Sequence, residues 1–189
     1  MGAGLGVGCT HTALASAYYA ADILKAKTAL VEIGKNRALR ALKENAEDSY
    51  DNLKAFIREG IHVFYDASPE RLTGILNGDF EYVILDITDN EKDSVEEFMR
   101  ADLQFLVCSL SEWRMSELEN CLDIIVPLFG KKMIKTVTSI MDNKWKKTTL
   151  KGNVSSDYRI KTYTMPFVAD PFNPEKTHMG FFRDLFNYT

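Results

Sequence analysis

The chain has 189 residues, 46% of them hydrophobic and 26% charged, with a formal net charge of −4. That length suits one domain with a sizeable core, and the composition is that of a globular protein, so neither a disordered chain nor a wholly basic nucleic-acid binder is expected. No uninterrupted apolar run approaches the ~20 residues of a spanning helix, and the opening residues lack the basic region and apolar core of a secretion signal.

The chain opens Met1-GAGLGVGCTHTALA, with glycines at 2, 4, 6 and 8 running into an Ala-rich stretch. Leu14, Ala17, Tyr18, Ala21 and Leu24 recur at helical spacing, which predicts a helix over 10–27. Thr28 to Ile33 reads as a short strand closed by Gly34, followed by a short helix near Arg37 to Glu44. Apolar runs at 53–57 and 61–65 flank Glu59-Gly60 and predict a hairpin over 53–65. Ser68-Pro69 starts a helix, because serine caps and proline needs no amide at the first helical position; it should end near Asn77-Gly78.

Tyr82 to Thr88 is continuously apolar up to Asp86, as in a strand buried on both faces. Asp89 to Glu97 is acidic and reads as a solvated loop leading into a helix. Leu103 to Leu110 is a second buried strand, and Ser111 or Glu112 begins a helix to about Ile125. Lys132 to Ile140 reads as a strand and Met141 to Lys151 as a basic loop. Arg159 to Met165 alternates like an edge strand, and Pro174 to Tyr188 forms a last helix. Alternating strands and helices predict a single α/β domain over 1–189, with a mostly parallel sheet and helices on both faces.

In such folds an anion binds where a strand end meets the next helix. Glycines let backbone amides close around it, and the helix N-terminus adds partial positive charge. Gly6, Gly8, Cys9, Thr10 and His11 are therefore candidate phosphate contacts, although a glycine run alone is also explained by tight packing. Thr10 supplies a hydroxyl suited to magnesium, but Cys9 stands where a phosphate-neutralising lysine is needed.

Several segments in this order resemble the MinD/ParA branch of P-loop ATPases, whose loop reads roughly GKGGxGKTT. Val7-Gly8-Cys9-Thr10-His11 falls on xGKTT. Lys27 to Glu32 resembles the second strand, Phe80 to Asp86 the Walker B strand, and Met165-Pro-Phe-Val-Ala-Asp-Pro-Phe172 the late segment that borders the adenine. The closest flavour is that of divergent pilus-assembly members similar to TadZ or CpaE. The resemblance implies a three-layer P-loop fold, ATP or ADP with magnesium as cofactors, Thr10 and Asp86 at the metal, and Pro171 and Phe172 beside the base. It also implies a homodimer or a protein partner, such as a pilus or envelope assembly, and a cytoplasmic protein recruited to the membrane face.

The departures are as informative. Cys9 replaces the loop lysine and Gly4 the second lysine that reaches across the dimer. Glu32 stands for the first acid of the second strand, while Gly34 replaces the second. Removing one well-placed charge-stabilising donor costs roughly 10²–10³ in rate, so the combined losses predict a pseudo-ATPase that acts as a regulatory or localising scaffold with weak or no nucleotide binding. The alternative is an active ATPase in which Lys35, or Arg37, supplies the cation. Only Met1 precedes the loop, so the usual first strand is expected to be missing, through an N-terminal truncation.

Other candidates are weaker. A helix start should lower the Cys9 thiol pKa, but Cys9 and His11 are two apart and do not face each other, and position 15 is Ala rather than the arginine of a phosphatase loop. Three cysteines without metal-ligand spacing fit a reducing cytoplasm. His62 and His178 read as ordinary histidines. The lysines at 131, 132, 135, 144, 146, 147 and 151 surround Trp145 and read as a solvated loop, or as a contact for an acidic partner, a membrane headgroup or nucleic acid. The last helix carries Phe182, Leu185 and Phe186 on one face, suited either to packing on the sheet or to a membrane surface.

Overall fold

The computed structural model describes residues 1–34, 37–129, 134–139 and 160–186. Helix α1 (Cys9–Tyr18) is followed by a π-helical turn over Tyr19–Ile23, and Lys25 ends the segment with a φ of 56°. The regular helix is thus shorter than its apolar spacing predicts. Strand β1 (Thr28–Ile33) pairs in parallel with β4 (Ile61–Phe64) on one side and β5 (Tyr82–Ile87) on the other. Beyond β4 lie β3 (Ala55–Arg58) and β2 (Asp48–Tyr50), both antiparallel to their neighbours, giving the order β2-β3-β4-β1-β5.

The β3–β4 hairpin turns at Glu59 and Gly60, with φ of 50° and 71°. Two positive values in succession give the turn whose twist matches the strands. The expected short helix near 37–44 is a 3₁₀ segment over Leu39–Asn45. Helix α2 (Pro69–Leu76) begins as predicted, with the Ser68 hydroxyl accepting from Arg71 N at 3.4 Å and Pro69 in the first turn.

Helices α3 (Lys92–Arg100) and α4 (Met115–Phe129) flank β6 (Phe105–Cys108) in the chain. Strands β6, β7 (Ile134–Ser139) and β8 (Ile160–Met165) pair in parallel in that order, so β8 is an edge strand, as its alternation predicts. The basic stretch lies outside the described residues apart from Lys135, as does Lys35.

The expectation of a missing first strand is corrected in part. Met1–Ala3 lies between β5 and β6: Gly2 N donates to Ile87 O at 2.9 Å and Ala3 N to Val107 O at 2.8 Å, while Met1 O accepts from Val107 N at 2.7 Å. Buried backbone groups at the ends of β5 and β6 need partners, and these three residues supply them. Lower down, Tyr82–Leu85 are only half-buried, although the apolar run predicts burial on both faces. Among the described residues no strand lies along that part of the β5 edge.

Side chains alternate across the sheet. Leu30 faces α1 in a core with Ala13, Leu14, Phe56 and Val63, whereas Ala29 and Val31 face α2 through Leu72 and Ile75. Ile87, Leu106 and Cys108 meet α3 and α4 through Phe98, Leu118 and Ile125. The last helix, α5 (Met179–Phe186), buries Phe182 and Leu185 against Val107, Val137 and Met165. Tyr19 stacks on Phe182 at 5.5 Å between centroids, and Phe186 touches Tyr19 and Tyr82. The apolar face of α5 packs on the sheet, the first of the two roles expected for it. No helix among the described residues is long and apolar enough to cross a membrane. The result is a three-layer α/β fold.

Candidate functional site

The glycine loop joins Met1–Ala3, which bridges β5 and β6, to α1. Gly6 and Gly8 have φ of 68° and 90°, and a Cβ on either would meet nothing within 4 Å. Glycine is required there by backbone conformation, not by crowding. Gly8 caps α1 without a side-chain hydrogen bond. The amides of Cys9, Thr10 and His11 therefore have no intrahelical acceptor, which is the chemistry an anion needs. Thr12 closes the first turn, its N and Oγ1 donating to Gly8 O at 2.9 and 2.8 Å.

The parity that turns Leu30 toward α1 turns Glu32 and Asp86 the same way, and the register sets them side by side at the carboxyl end of β1 and β5. Glu32 and Asp86 are 1% and 0% exposed. Glu32 Oε1 accepts from Leu39 N at 3.1 Å, while Glu32 Oε2 and both Asp86 oxygens have no partner. Thr10 and Cys9 lie near enough to Asp86 to favour its charged form, yet neither completes a hydrogen bond of normal geometry. Burial dominates and pushes the Asp86 carboxyl above its ordinary range; it does the same to Glu32.

Cys9 behaves opposite to expectation. Its Sγ donates to Ile87 O at 3.3 Å, and burial pushes the thiol up to about 12. Desolvation outweighs the lowering influence of the Met1 ammonium, so the site does not favour a thiolate at Cys9. His11 is held below its ordinary pKa by burial, against an opposing backbone hydrogen bond to Val168.

His11, Val7 and Gly8 face Pro166, Phe167 and Val168 across a shallow cleft of about 230 Å³. Pockets that enclose a small organic ligand run ≈ 300–1,000 Å³, so a phosphate or a ring fits here but a whole nucleotide would lie largely on the surface. Phe167, 70% exposed, stands in the cleft wall. Pro171 and Phe172 do not line the cleft. Phe172 is 7% exposed among Ala13, Leu14 and Ala17, with the Arg58 guanidinium 4.2 Å from its ring centroid. A residue expected beside a base is thus a core residue, packed on α1.

The structure adds groups that sequence spacing does not reveal. A Cβ on Gly34 would lie 2.5 Å from Asp89 Oδ2, so the space of the second acid of β1 is taken by another carboxylate, one with a buried, unpartnered oxygen. A Cβ on Gly4 would overlap the Glu117 carboxylate, which is held by Arg114 Nε at 3.0 Å and Nη2 at 2.8 Å. The same guanidinium donates to Leu5 O in the loop. The only advance signal is that both positions are glycine. The histidines outside the loop have ordinary roles: His62 packs edge-on to Phe80, and His178 Nδ1 accepts from Glu175 N. No cluster of three or more His, Cys, Asp or Glu suited to a metal occurs among the described residues. A divalent cation at Asp86 would therefore need Thr10 and a ligand's own oxygens.

Asp86→Asn should stabilise the protein. The native pKa of Asp86 is raised, so its contribution to stability is fully present below about pH 4, the unfolded value, and is lost as pH rises through the native pKa. Removing the charge should gain about 1–3 kcal/mol at pH 8, roughly 3–10 °C in Tm, and almost nothing near pH 4. Thermal melts of both proteins across pH check this; an equal gain at both ends of the range would contradict it.

A scan against protein-family models finds no match, and a search of curated proteins finds none either. Solved structures do match. A protein assigned to plasmid partition in Borrelia burgdorferi B31, bound to AMPPNP, superposes with a TM-score of 0.65 over 98% of this chain and 94% of its own, at 13% identity. MinD from Aquifex aeolicus, a cell division protein, gives 0.58 over 96% and 83%, at 16% identity. The same organism's MinC:MinD complex gives 0.59 over the same shares, at 14% identity. The chain therefore shares its α/β fold with MinD and with that plasmid partition protein.

Proposed function

We propose that the chain is a catalytically degenerate MinD/ParA-like P-loop protein, a regulatory or localising scaffold with weak nucleotide binding and negligible turnover. The observation that carries this reading is Asp86, fully buried with both oxygens unpartnered, beside Thr10 at the start of a glycine-capped helix whose lysine position holds a neutral thiol. The helix-terminal amides and the acid are present, and the loop lysine is absent.

The residues present fit a magnesium-bound nucleoside triphosphate. The amides from Gly6 to His11 would hold phosphate oxygens, and the Thr10 hydroxyl and Asp86 would hold the ion. When bound, the ion draws negative charge from the phosphates. The chain's own part is then to place the anion at the end of α1 and to bring Asp86 its missing partner. Without a lysine, the charge that develops on the transferring phosphoryl group has little to meet it, which predicts binding without turnover.

The partition protein and the MinC:MinD complex support a protein partner or a second copy as the working assembly. Leu5 and Trp113, each 79% exposed, support a contact near the loop. A cytoplasmic protein brought to a pilus or envelope assembly through such a partner fits this surface.

Calorimetric titration with Mg·ATP and Mg·ADP, run beside a phosphate-release assay, tests the reading. Weak magnesium-dependent binding with negligible release is expected; brisk release by purified protein overturns it. The alternative, an active ATPase using Lys35, draws support from the Asp89 carboxylate filling the space beside Gly34. In that case turnover is measurable and disappears in Lys35→Ala.

A further inference from the structure

A thiol at position 9 supplies no positive charge, and Gly4 has no side chain. Yet one guanidinium is already seated on the loop. Arg114 donates to Leu5 O, in the middle of the glycine run, and to Glu117 through Nε and Nη2. Its side chain is 22% exposed, while that of Glu117 is 41% exposed. Glu117 in turn fills the space that a side chain at position 4 would take.

We infer that Arg114 is the phosphate-binding cation of the glycine loop, and that Glu117 is the resting counter-ion which a phosphate displaces. This rests on the reading of the loop as a phosphate site, which stands on Asp86 as well as on the helix terminus. The chemistry favours the exchange. A guanidinium presents a planar fork of donors that suits phosphate as well as carboxylate, and a polyphosphate carries more charge than the carboxylate it replaces. Arg114 lies in a 3₁₀ turn, Glu112–Arg114, that leads directly into α4. A change of partner at Arg114 would therefore be passed to α4 and to the adjoining exposed Trp113. Occupancy of the loop and the surface offered to a partner become linked through one side chain.

The bond to Leu5 O also suits a purely structural clasp, and the two roles predict opposite results for Glu117→Gln. Four proteins are titrated with Mg·ATP and with inorganic pyrophosphate: the wild-type chain, Arg114→Gln, Glu117→Gln and Thr10→Ala. Their melting temperatures are recorded without ligand. As a phosphate cation, Arg114 predicts about tenfold or greater loss in Arg114→Gln and a gain of about tenfold in Glu117→Gln for both probes. A clasp predicts that both variants bind more weakly and melt lower, and that result overturns the inference. Unchanged binding in Arg114→Gln, with a loss in Thr10→Ala, also overturns it while the phosphate site stands. Absence of binding in every protein, Glu117→Gln included, removes the phosphate site and the inference together. Should Arg114→Gln fail to fold, Arg114→Lys takes its place: retained charge should keep most of the affinity, and complete loss counts against the inference.

Discussion

Cys9→Lys is expected to tighten Mg·ATP binding by roughly 10–100-fold. A hydrogen bond to a charged group contributes about 1.5–3 kcal/mol, and each ~1.4 kcal/mol is a factor of ten in affinity. Position 9 is the first residue of α1, its side chain points at Ile87 O, and the neighbouring Asp86 has two unpartnered oxygens. A lysine there has Asp86 as a counter-ion and can turn to a phosphate when one arrives. The same ammonium removes the cost of burying Asp86 alone. In the Cys9→Lys background the stabilisation from Asp86→Asn should therefore vanish or reverse, which a double-mutant cycle in thermal melts measures. A folded Cys9→Lys protein with unchanged affinity for Mg·ATP would mean that the loop amides do not face a phosphate.

Phe182→Ala should cost about 3–5 kcal/mol, or roughly 10 °C or more in Tm. Phe182 is 0% exposed and lies at the meeting point of α5, β7, β8 and the π-helical turn, stacked on Tyr19. Emptying that place undercuts the docking of α5. Arg183→Ala, on the outer side of the same helix, should change stability by less than about 0.5 kcal/mol. Circular-dichroism melts of the two variants give the comparison. A drop of only 1–2 °C for Phe182→Ala would show that α5 is not anchored on the sheet. Liposome flotation adds a second readout: if the apolar face is held by the sheet, binding should appear only when α5 is released.

Much of the frame was legible in local signals. Glu59-Gly60 announced a turn needing positive φ, and Ser68-Pro69 announced a helix start; both occur in the structure. The run at 82–88 read as a parallel strand because apolar residues fill both parities, and it pairs in parallel with the short strand read at 28–33. The half-exposed Tyr82–Leu85 did not follow, since burial along a strand edge depends on what pairs there, and the sequence of β5 carries no record of its neighbour. The helix over 10–27 was drawn too long because apolar spacing persists past Tyr18, while the backbone widens into a π turn that lets Tyr19 meet Phe182 and Phe186.

The site divides along the same line. By itself the sequence determined the loop glycines, the hydroxyl at Thr10, the acids at Glu32 and Asp86, and the absence of lysine at 4 and 9, because each is a residue identity at a fixed spacing from a strand or helix end. Only the tertiary structure decided what occupies the spaces those residues leave. It raises the Cys9 thiol by burial, buries Phe172 away from the cleft, puts Asp89 beside Gly34, and brings the Arg114–Glu117 pair to Gly4. Arg114 meets Leu5 across 109 positions of chain. Desolvation and steric occupancy are properties of the packed interior, set by residues remote in sequence, so no reading of the loop alone could have supplied them.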